Sequence, residues 1–251
     1  MPDWAGPFGA AVLESFRLYP DAYEGGGSWV TARREQRDYV RAGHAANASR
    51  STQESAWGAR TTARRYIVAN SCDKMTTLTY AVACDDRDRF VADMRAFWLD
   101  LRAALGGKPL PYLWVPEWHK SHGLHAHAAV ADYIPFTLIR EVWGRGRVRI
   151  ERMSGAPAGH SRAVTVRARA CARYVSMYVG KALDDERRVL GRHRYDGAQG
   201  FRPREIVFTA RARDGALGQA CEQWGARAET VWFSPEDATY SAMWASWRAA
   251  R

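Results

Sequence analysis

The order of periodic segments between residues 75 and 183 constrains the fold of this chain more than any other feature. Alternating segments that are typical of strands are interspersed with segments of helical spacing. In chain order they are Met75–Val82, Asp88–Leu105, Tyr112–Trp118, Leu124–Val130, Pro135–Trp143, Val148–Met153 and Val166–Leu183. The first six follow the order β-α-β-β-α-β of the ferredoxin-like fold. We therefore expect an α+β protein with a ferredoxin-like antiparallel sheet, whose first and third strands are central and on which helices pack.

The sequences on either side of this pattern predict a division into three parts. Residues 1–62 show no sustained period and are rich in arginine, so we expect a basic arm that either lies on DNA or forms a tail. Residues 63–205 form the predicted core. Residues 206–251 are expected to pack on the core as an extension with two strands, near 206–210 and 230–233, and a helix near 216–224. A final helix is predicted after Ser234-Pro235-Glu236-Asp237, which is a typical N-cap sequence.

The charge of the chain indicates a polyanionic partner. The formal net charge is +10, and all but four of the 37 basic residues are arginine, which suits bidentate contacts to phosphate. Nucleic acid is the commonest partner of this kind, although a soluble protein can also be basic without binding it. The four cysteines have no paired spacing and no apolar run is long enough to span a membrane. We expect reduced thiols, a cytoplasmic location and no membrane partner.

Two histidines on one predicted strand form the candidate metal site. His125 and His127 are two residues apart, so both imidazoles lie on one face of the strand. Glu117 is on the preceding strand, and it shares that face if the hairpin pairs residues whose numbers sum to an even value, for example 117 with 127. His119 has the same parity and is the second candidate for the third ligand. Two imidazoles and a carboxylate would leave positions on a divalent ion for a phosphate oxygen and water.

Two tyrosines and a lysine lie on one stripe of the last predicted helix of the core. At about 100° per residue, Tyr174, Tyr178 and Lys181 fall within about 60° of one another, and Arg167 falls inside the same range. A stripe of two phenols and two cations favours a surface that faces a cleft. The alternative is that the tyrosines only widen the apolar stripe of the helix.

Phenols can act as nucleophiles when their surroundings favour the phenolate. Their ordinary pKa of about 10 makes them weak nucleophiles at neutral pH. A neighbouring cation favours the phenolate, and a divalent metal polarises a scissile phosphate. Attack then gives a covalent phosphotyrosine that stores the energy of the broken bond, so that this step needs no ATP.

Three short motifs, taken in chain order, resemble those of the HUH endonucleases, and specifically the rolling-circle replication initiators of small plasmids and single-stranded DNA phages. The matching residues are Thr77-Leu78-Thr79-Tyr80, His125-Ala126-His127 and, in the two-tyrosine form of the third motif, Tyr174-Val175-Ser176-Met177-Tyr178-Val179-Gly180-Lys181. Flanking segments are similar to actinobacterial plasmid Rep proteins, and they are Arg64-Arg65-Tyr66, Ala69-Asn70 and Gly191 to Phe201. The resemblance covers about residues 63–205.

The resemblance implies a role for each matching residue. His125, His127 and Glu117 would bind Mg²⁺ or Mn²⁺. Tyr178 would be the first nucleophile and Tyr174 the second, with Lys181 beside them. The expected product is a 5′-phosphotyrosine and a free 3′-OH that primes synthesis. The residues expected to contact DNA are Thr77, Thr79, Arg64, Arg65 and Arg167.

The same resemblance implies partners and leaves alternatives open. The substrate would be single-stranded DNA at a replication origin, and a host helicase and polymerase would act with the protein. A two-tyrosine transposase or a mobilisation relaxase would use the same chemistry. Two other classes are a non-catalytic DNA-binding replication regulator and a histidine-based phosphodiesterase acting on small nucleotides, but the latter makes no use of the tyrosines.

Overall fold

The computed structural model describes residues 12–30, 47–119, 123–153, 162–181, 194–209, 213–235 and 241–248. The chain forms two compact units, one of residues 40–202 and one of residues 1–39 with 203–251. The helices in the described ranges are α1 (Ala48–Ala69), α2 (Arg87–Ala104), α3 (Phe136–Trp143), α4 (Arg162–Lys181) and α5 (Arg213–Trp224). The strands are β1 (Val12–Tyr19), β2 (Glu24–Val30), β3 (Lys74–Tyr80), β4 (Tyr112–His119), β5 (Gly123–Val130), β6 (Gly146–Arg152), β7 (Asp196–Gly197), β8 (Ile206–Phe208), β9 (Thr230–Phe233) and β10 (Ser241–Ser246).

The sheet of the larger unit has the strand order β6-β3-β5-β4-β7, and neighbouring strands are antiparallel. The four strands β3 to β6 and the helices α2 and α3 follow each other as β-α-β-β-α-β, with the first and third strands at the centre. The predicted α+β class and ferredoxin-like sheet are thus confirmed. The two-residue strand β7 extends the sheet beside β4, where it pairs with Leu113 and Trp114.

Helices α2 and α3 cover one face of this sheet. Leu78, Leu124 and Ala126 point from the strands into an apolar core. The same core includes Phe97 of α2 and Trp143 of α3. This face of the sheet is therefore closed to solvent by the two helices that connect its strands.

The ends of these helices are defined by specific residues. The side chain that caps α2 belongs to Asp86, two residues before the predicted start at Asp88, and it accepts hydrogen bonds from the backbone N–H groups of Asp88 and Arg89. Helix α3 ends as predicted at Gly144, whose left-handed backbone (φ 52°) suits glycine.

The other face of the sheet is covered by α4, which contacts β3, β4 and β5 and packs against α1. Every residue of β5 is buried, as expected for a central strand with helices on both faces. The odd-numbered residues of β5 face α4, because the even-numbered ones lie in the core with α2 and α3. His125 and His127 therefore lie beneath α4.

A strap formed by residues 194–201 ties α1 to the edge of the sheet. The hydroxyl of Tyr66 on α1 donates to the carbonyl of Ala198 (3.0 Å), and Nδ2 of Asn70 donates to the carbonyl of Phe201 (2.8 Å). These contacts join the two flanking segments on which the resemblance to plasmid Rep proteins partly rests. Helix α1 also crosses residue 62, where the sequence predicts the end of a basic arm.

The smaller unit contains a second antiparallel sheet that the sequence does not predict. Its strand order is β8-β1-β2-β10-β9, and its core joins Phe16, Leu18, Met243 and Trp247 to helix α5. Residues 12–30 of the expected basic arm therefore form two strands of this sheet. The basic residues at 33–41 lie outside the described residues.

The final helix predicted after Ser234 is also wrong, because residues 241–246 form strand β10 between β2 and β9. Residues 236–240 lie outside the described part of the chain. Pairing with β2 explains why residues 241–246 form a strand. A Cβ at Gly26 would lie 2.8 Å from the carbonyl oxygen of Met243, so the glycines of β2 let the β10 backbone approach closely.

No helix in the described ranges combines the length and the apolar composition that a bilayer span requires. All four cysteines are free thiols, as expected from their spacing.

Candidate metal centre and tyrosine pair

The register of the β4–β5 hairpin places three ligating side chains on one face. Glu117 lies directly opposite His125. The numbers of paired residues therefore sum to an even value, as expected. Glu117 pairs with His125, however, and not with His127 as in the example given for the sequence. Glu117 Oε2 is 3.1 Å from His125 Nε2 and 2.8 Å from His127 Nε2. The two Nε2 atoms are 3.1 Å apart. Three donor atoms thus converge on one point.

The spacing of these donors fits a small divalent cation. Ligands at right angles on an ion with bonds of about 2.1 Å lie about 3.0 Å apart, close to the three distances in this cluster. The group can hold a metal ion through one atom from each residue. Two neutral imidazoles and a carboxylate on one side of an ion leave the opposite side open to substrate and water.

The second candidate for the third ligand, His119, lies further from the cluster. It is exposed at the end of β4, and its ring centroid is 5.7 Å from that of His125. Glu117 instead contacts both histidines directly, so the geometry favours Glu117.

The two histidines are both buried, but they differ in the hydrogen bonding of their second ring nitrogen, Nδ1. His125 is 6% exposed and His127 is 5% exposed. His127 Nδ1 lies 3.2 Å from the hydroxyl of Thr77 on β3, which is paired with His127 in the sheet. His125 Nδ1 is buried and has no hydrogen-bond partner among the described residues.

The rings of both tyrosines contact His127. The ring of Tyr178 stacks on the ring of His127, with centroids 4.1 Å apart and an angle of 19° between the planes. Tyr174 contacts the same imidazole edge-on at 5.8 Å. The two phenol oxygens are hydrogen-bonded at 2.8 Å. The two tyrosines of the predicted stripe therefore face the cluster of Glu117, His125 and His127.

The surroundings of Tyr178 favour its neutral form. Burial raises the pKa of this phenol above its ordinary value, and the hydrogen bond with Tyr174 and the nearby Glu117 carboxylate raise it further. The phenol is thus protonated near pH 7 in these surroundings. Any reaction at its oxygen requires positive charge nearby or a proton acceptor.

The remaining predicted site residues are distributed over three elements. Lys181 is the last residue of α4, and its side chain is outside the described part. Arg64 and Arg65 are partly exposed on α1. Thr79 lies opposite His125 on β3, on the same face as Thr77.

Arg167 does not face the cleft with the tyrosines. It is 7% exposed, and its Nε and Nη2 both lie 2.7 Å from Oδ2 of the buried Asp73. A guanidinium engaged in this way is not available to a DNA phosphate, so the expected DNA contact is corrected to a structural ion pair. The helical wheel places Arg167 on the stripe of the tyrosines, but it does not show the buried ion pair with Asp73 that holds this side chain.

Two further arginines on the side of the sheet that carries the histidines were not identified from the sequence. Arg147 and Arg149 of β6 pair in the sheet with Thr79 and Thr77 of β3, and both arginines are exposed. The alternation of arginine and apolar residues in β6 shows that they share a face. Only the register with β3 shows that this is the face of the histidines.

Comparisons with known proteins bear on the segment that contains this site. No curated protein matched the chain, and no solved structure matched it. Residues 73–183 match the family model of the replication-associated protein ORF2/G2P. The matched segment includes the three ligating residues and both tyrosines. Over these residues the chain is similar to that replication-associated family, which supports a role in replication initiation.

Proposed function

We propose that this chain is a metal-dependent endonuclease that nicks and rejoins single-stranded DNA at a replication origin to start rolling-circle replication. The observation that carries the proposal is the stacking of Tyr178 on His127 within a cluster of three metal-ligating groups. A nucleophile and a metal centre that touch each other suit phosphoryl transfer better than either group would alone.

In the proposed reaction the oxygen of Tyr178 attacks the phosphorus of a phosphodiester. A tyrosine O–P bond forms and the P–O3′ bond breaks. The phenol proton is lost and the leaving oxygen takes up a proton to become a free 3′-OH. The 5′-phosphate remains on the tyrosine as an ester, so attack by a 3′-OH can reverse the reaction and rejoin a strand. Tyr174 would serve as the second nucleophile.

His125, His127 and Glu117 would hold Mg²⁺ or Mn²⁺. When bound, such an ion supplies the positive charge that polarises a phosphate oxygen. The chain's own residues fix the geometry: β4 and β5 hold the ligands, and α4 holds the phenols against them. Both imidazoles are buried, which limits the access of bulk water to the ligating nitrogens.

The distribution of charge supports DNA binding by the larger unit. Residues 40–202 contain 27 of the 37 lysines and arginines but only 15 of the 27 acidic residues, so their formal charge is +12. The remaining residues carry 10 basic and 12 acidic side chains, a formal charge of −2. A polyanionic substrate is therefore attracted to the unit that carries the tyrosines.

A covalent adduct tests the proposal directly. The full chain is incubated with Mn²⁺ and a random-sequence single-stranded DNA library labelled at its 3′ end, because the 3′ fragment is the one retained on tyrosine. We expect an adduct that survives denaturant and electrophoresis. His125→Ala, His127→Ala and Tyr178→Phe should abolish it, whereas Tyr174→Phe and the exposed control Tyr133→Phe should retain it.

Two outcomes would contradict parts of the proposal. An adduct that survives in Tyr178→Phe but disappears in Tyr174→Phe would exchange the roles of the tyrosines. Binding of the library without an adduct, at any Mn²⁺ or Mg²⁺ concentration, would reject the nuclease and favour a non-catalytic DNA-binding regulator. Sequencing of the trapped strands would identify the preferred site, and a transposase or relaxase would be recognised by the DNA it selects.

A further inference from the structure

We propose that Thr77 is a positioning residue of the metal centre, which holds the imidazole of His127 through a hydrogen bond to Nδ1. This inference rests on the metal-binding part of the proposed function. It assigns Thr77 to the support of a ligand, whereas the sequence predicts a DNA contact for this residue.

The hydrogen bond lies on the side of the ring away from the ligand cluster. His127 Nε2 points to Glu117 Oε2 at 2.8 Å, and Nδ1 of the same ring lies 3.2 Å from Thr77 Oγ1. The hydroxyl oxygen can accept a hydrogen bond from Nδ1–H, which leaves the lone pair of Nε2 directed at an ion. A hydrogen bond of this kind fixes both the tautomer and the orientation of a ligating histidine.

The sheet makes this contact rigid. Thr77 lies on the central strand β3 and is paired in register with His127 on β5. A β-branched side chain in a strand has restricted χ1 freedom, so its hydroxyl is directed at one place. The imidazole is held from three sides, because the ring of Tyr178 also covers one of its faces at 4.1 Å.

Thr79 provides a matched comparison within the same strand. It is opposite His125 as Thr77 is opposite His127, and it lies on the same face with similar partial exposure. His125 Nδ1, however, is buried and has no hydrogen-bond partner among the described residues. Two threonines in equivalent positions therefore differ in whether their hydroxyl is hydrogen-bonded to Nδ1 of the histidine beside them.

The experiment compares metal affinity in the full chain without DNA. Mn²⁺ binding is measured by electron paramagnetic resonance and by calorimetry for the parent protein, Thr77→Val, Thr77→Ser and Thr79→Val. Valine removes the hydroxyl and keeps the shape and the strand preference of threonine. We expect Thr77→Val to weaken Mn²⁺ binding by about 10-fold, the lower end of the effect of losing an outer-shell partner. Thr77→Ser and Thr79→Val should stay within about 2-fold of the parent.

A second measurement separates positioning from a DNA contact and from misfolding. In EDTA, the parent and Thr77→Val should bind a fluorescent single-stranded oligonucleotide with equal affinity. Thermal unfolding should show that Thr77→Val and Thr79→Val are folded. Equal Mn²⁺ affinity in Thr77→Val and the parent would overturn the inference. Equal reductions in Thr77→Val and Thr79→Val would overturn it as well, because the hydroxyl opposite His127 would then have no special role. Since no nicking is measured, failure of the proposed nuclease would not be mistaken for failure of this inference.

Discussion

Asp73 joins α4 to the start of β3 through a buried ion pair with Arg167. Its carboxylate is 2% exposed and accepts from Nε and Nη2 of Arg167, and it also contacts the ammonium group of Lys74. Both charges of the Arg167 pair are shielded from water. A buried pair adds little net stability compared with apolar residues, but removal of one partner leaves the other charge uncompensated.

We expect Asp73→Asn to lower the free energy of unfolding by about 3 kcal/mol, because the guanidinium of Arg167 is then buried without a counter-charge. Urea denaturation followed by circular dichroism measures the effect. Asp100→Asn, on the exposed surface of α2, is the matched control and should change stability by less than about 0.5 kcal/mol. Equal stability of both variants would show that the Asp73–Arg167 pair is solvated in solution.

At the scale of elements, β6 extends the face of the sheet that carries His125 and His127, and its two arginines on that face are exposed. It is the edge strand next to β3, and α4 contacts β3, β4 and β5. Its exposed Arg147 and Arg149 continue the rows of side chains that begin at the histidines, although Arg149 also pairs with Glu151. Because neighbouring strands are about 4.8 Å apart, β6 lies about 10 Å from β5. A strand of DNA held at the metal centre can therefore reach β6 with an adjacent phosphate.

Arg147→Ala and Arg149→Ala should weaken binding of single-stranded DNA and reduce the slope of log K against log salt by about 0.7 for each phosphate that the variant no longer neutralises. Fluorescence anisotropy over a series of KCl concentrations, with EDTA present, measures both quantities. The control is Arg140→Ala on α3, which covers the opposite face of the sheet. If Arg140→Ala changes the salt slope as much as Arg147→Ala does, the interaction is not specific to this face.

At the scale of the whole molecule, the family match covers less than the unit that forms the site. Residues 73–183 include the sheet strands β3 to β6 and α4, but they exclude α1 and the strap at 194–201. Helix α1 buries Ala56, Ala63 and Ile67 completely and packs against α4. The helix that carries both tyrosines is thus supported by a segment outside the matched residues.

A pair of fragments tests this dependence. Residues 40–202 should fold cooperatively and bind Mn²⁺ with an affinity close to that of the full chain, since they form one compact unit that contains the whole of this sheet with α1 and α4. Residues 73–183 should bind Mn²⁺ much more weakly and unfold without a sharp transition, because the surface of α4 that faces α1 is then exposed to water. Far-ultraviolet circular dichroism measures the unfolding transition, and calorimetry measures the affinity for Mn²⁺. Equal behaviour of the two fragments would show that α1 is dispensable.

The sequence predicts those features that depend on local periodicity. The strands and helices between residues 74 and 181 follow from spacing, and the face shared by Glu117, His125 and His127 follows from parity. Pairing between β2 and β10 joins residues more than 200 positions apart, and β2 contains three glycines that carry no periodic signal. Neither the second sheet nor the strand at Ser241–Ser246 is therefore predictable from local pattern. The burial of Arg167 depends on Asp73, a partner 94 residues away in the chain.

The direct pairing of Glu117 with His125 has a consequence for how sequences of this kind can vary in length. The ligands are aligned by strand register, so one residue inserted within β5 ahead of His125 would turn both imidazoles towards α2 and α3. Substitutions around the site change single contacts, whereas such an insertion removes both histidine ligands at once. Related chains that keep this chemistry should differ in the length of the loops between their strands. Within β4 and β5 they should differ only in the identity of their side chains.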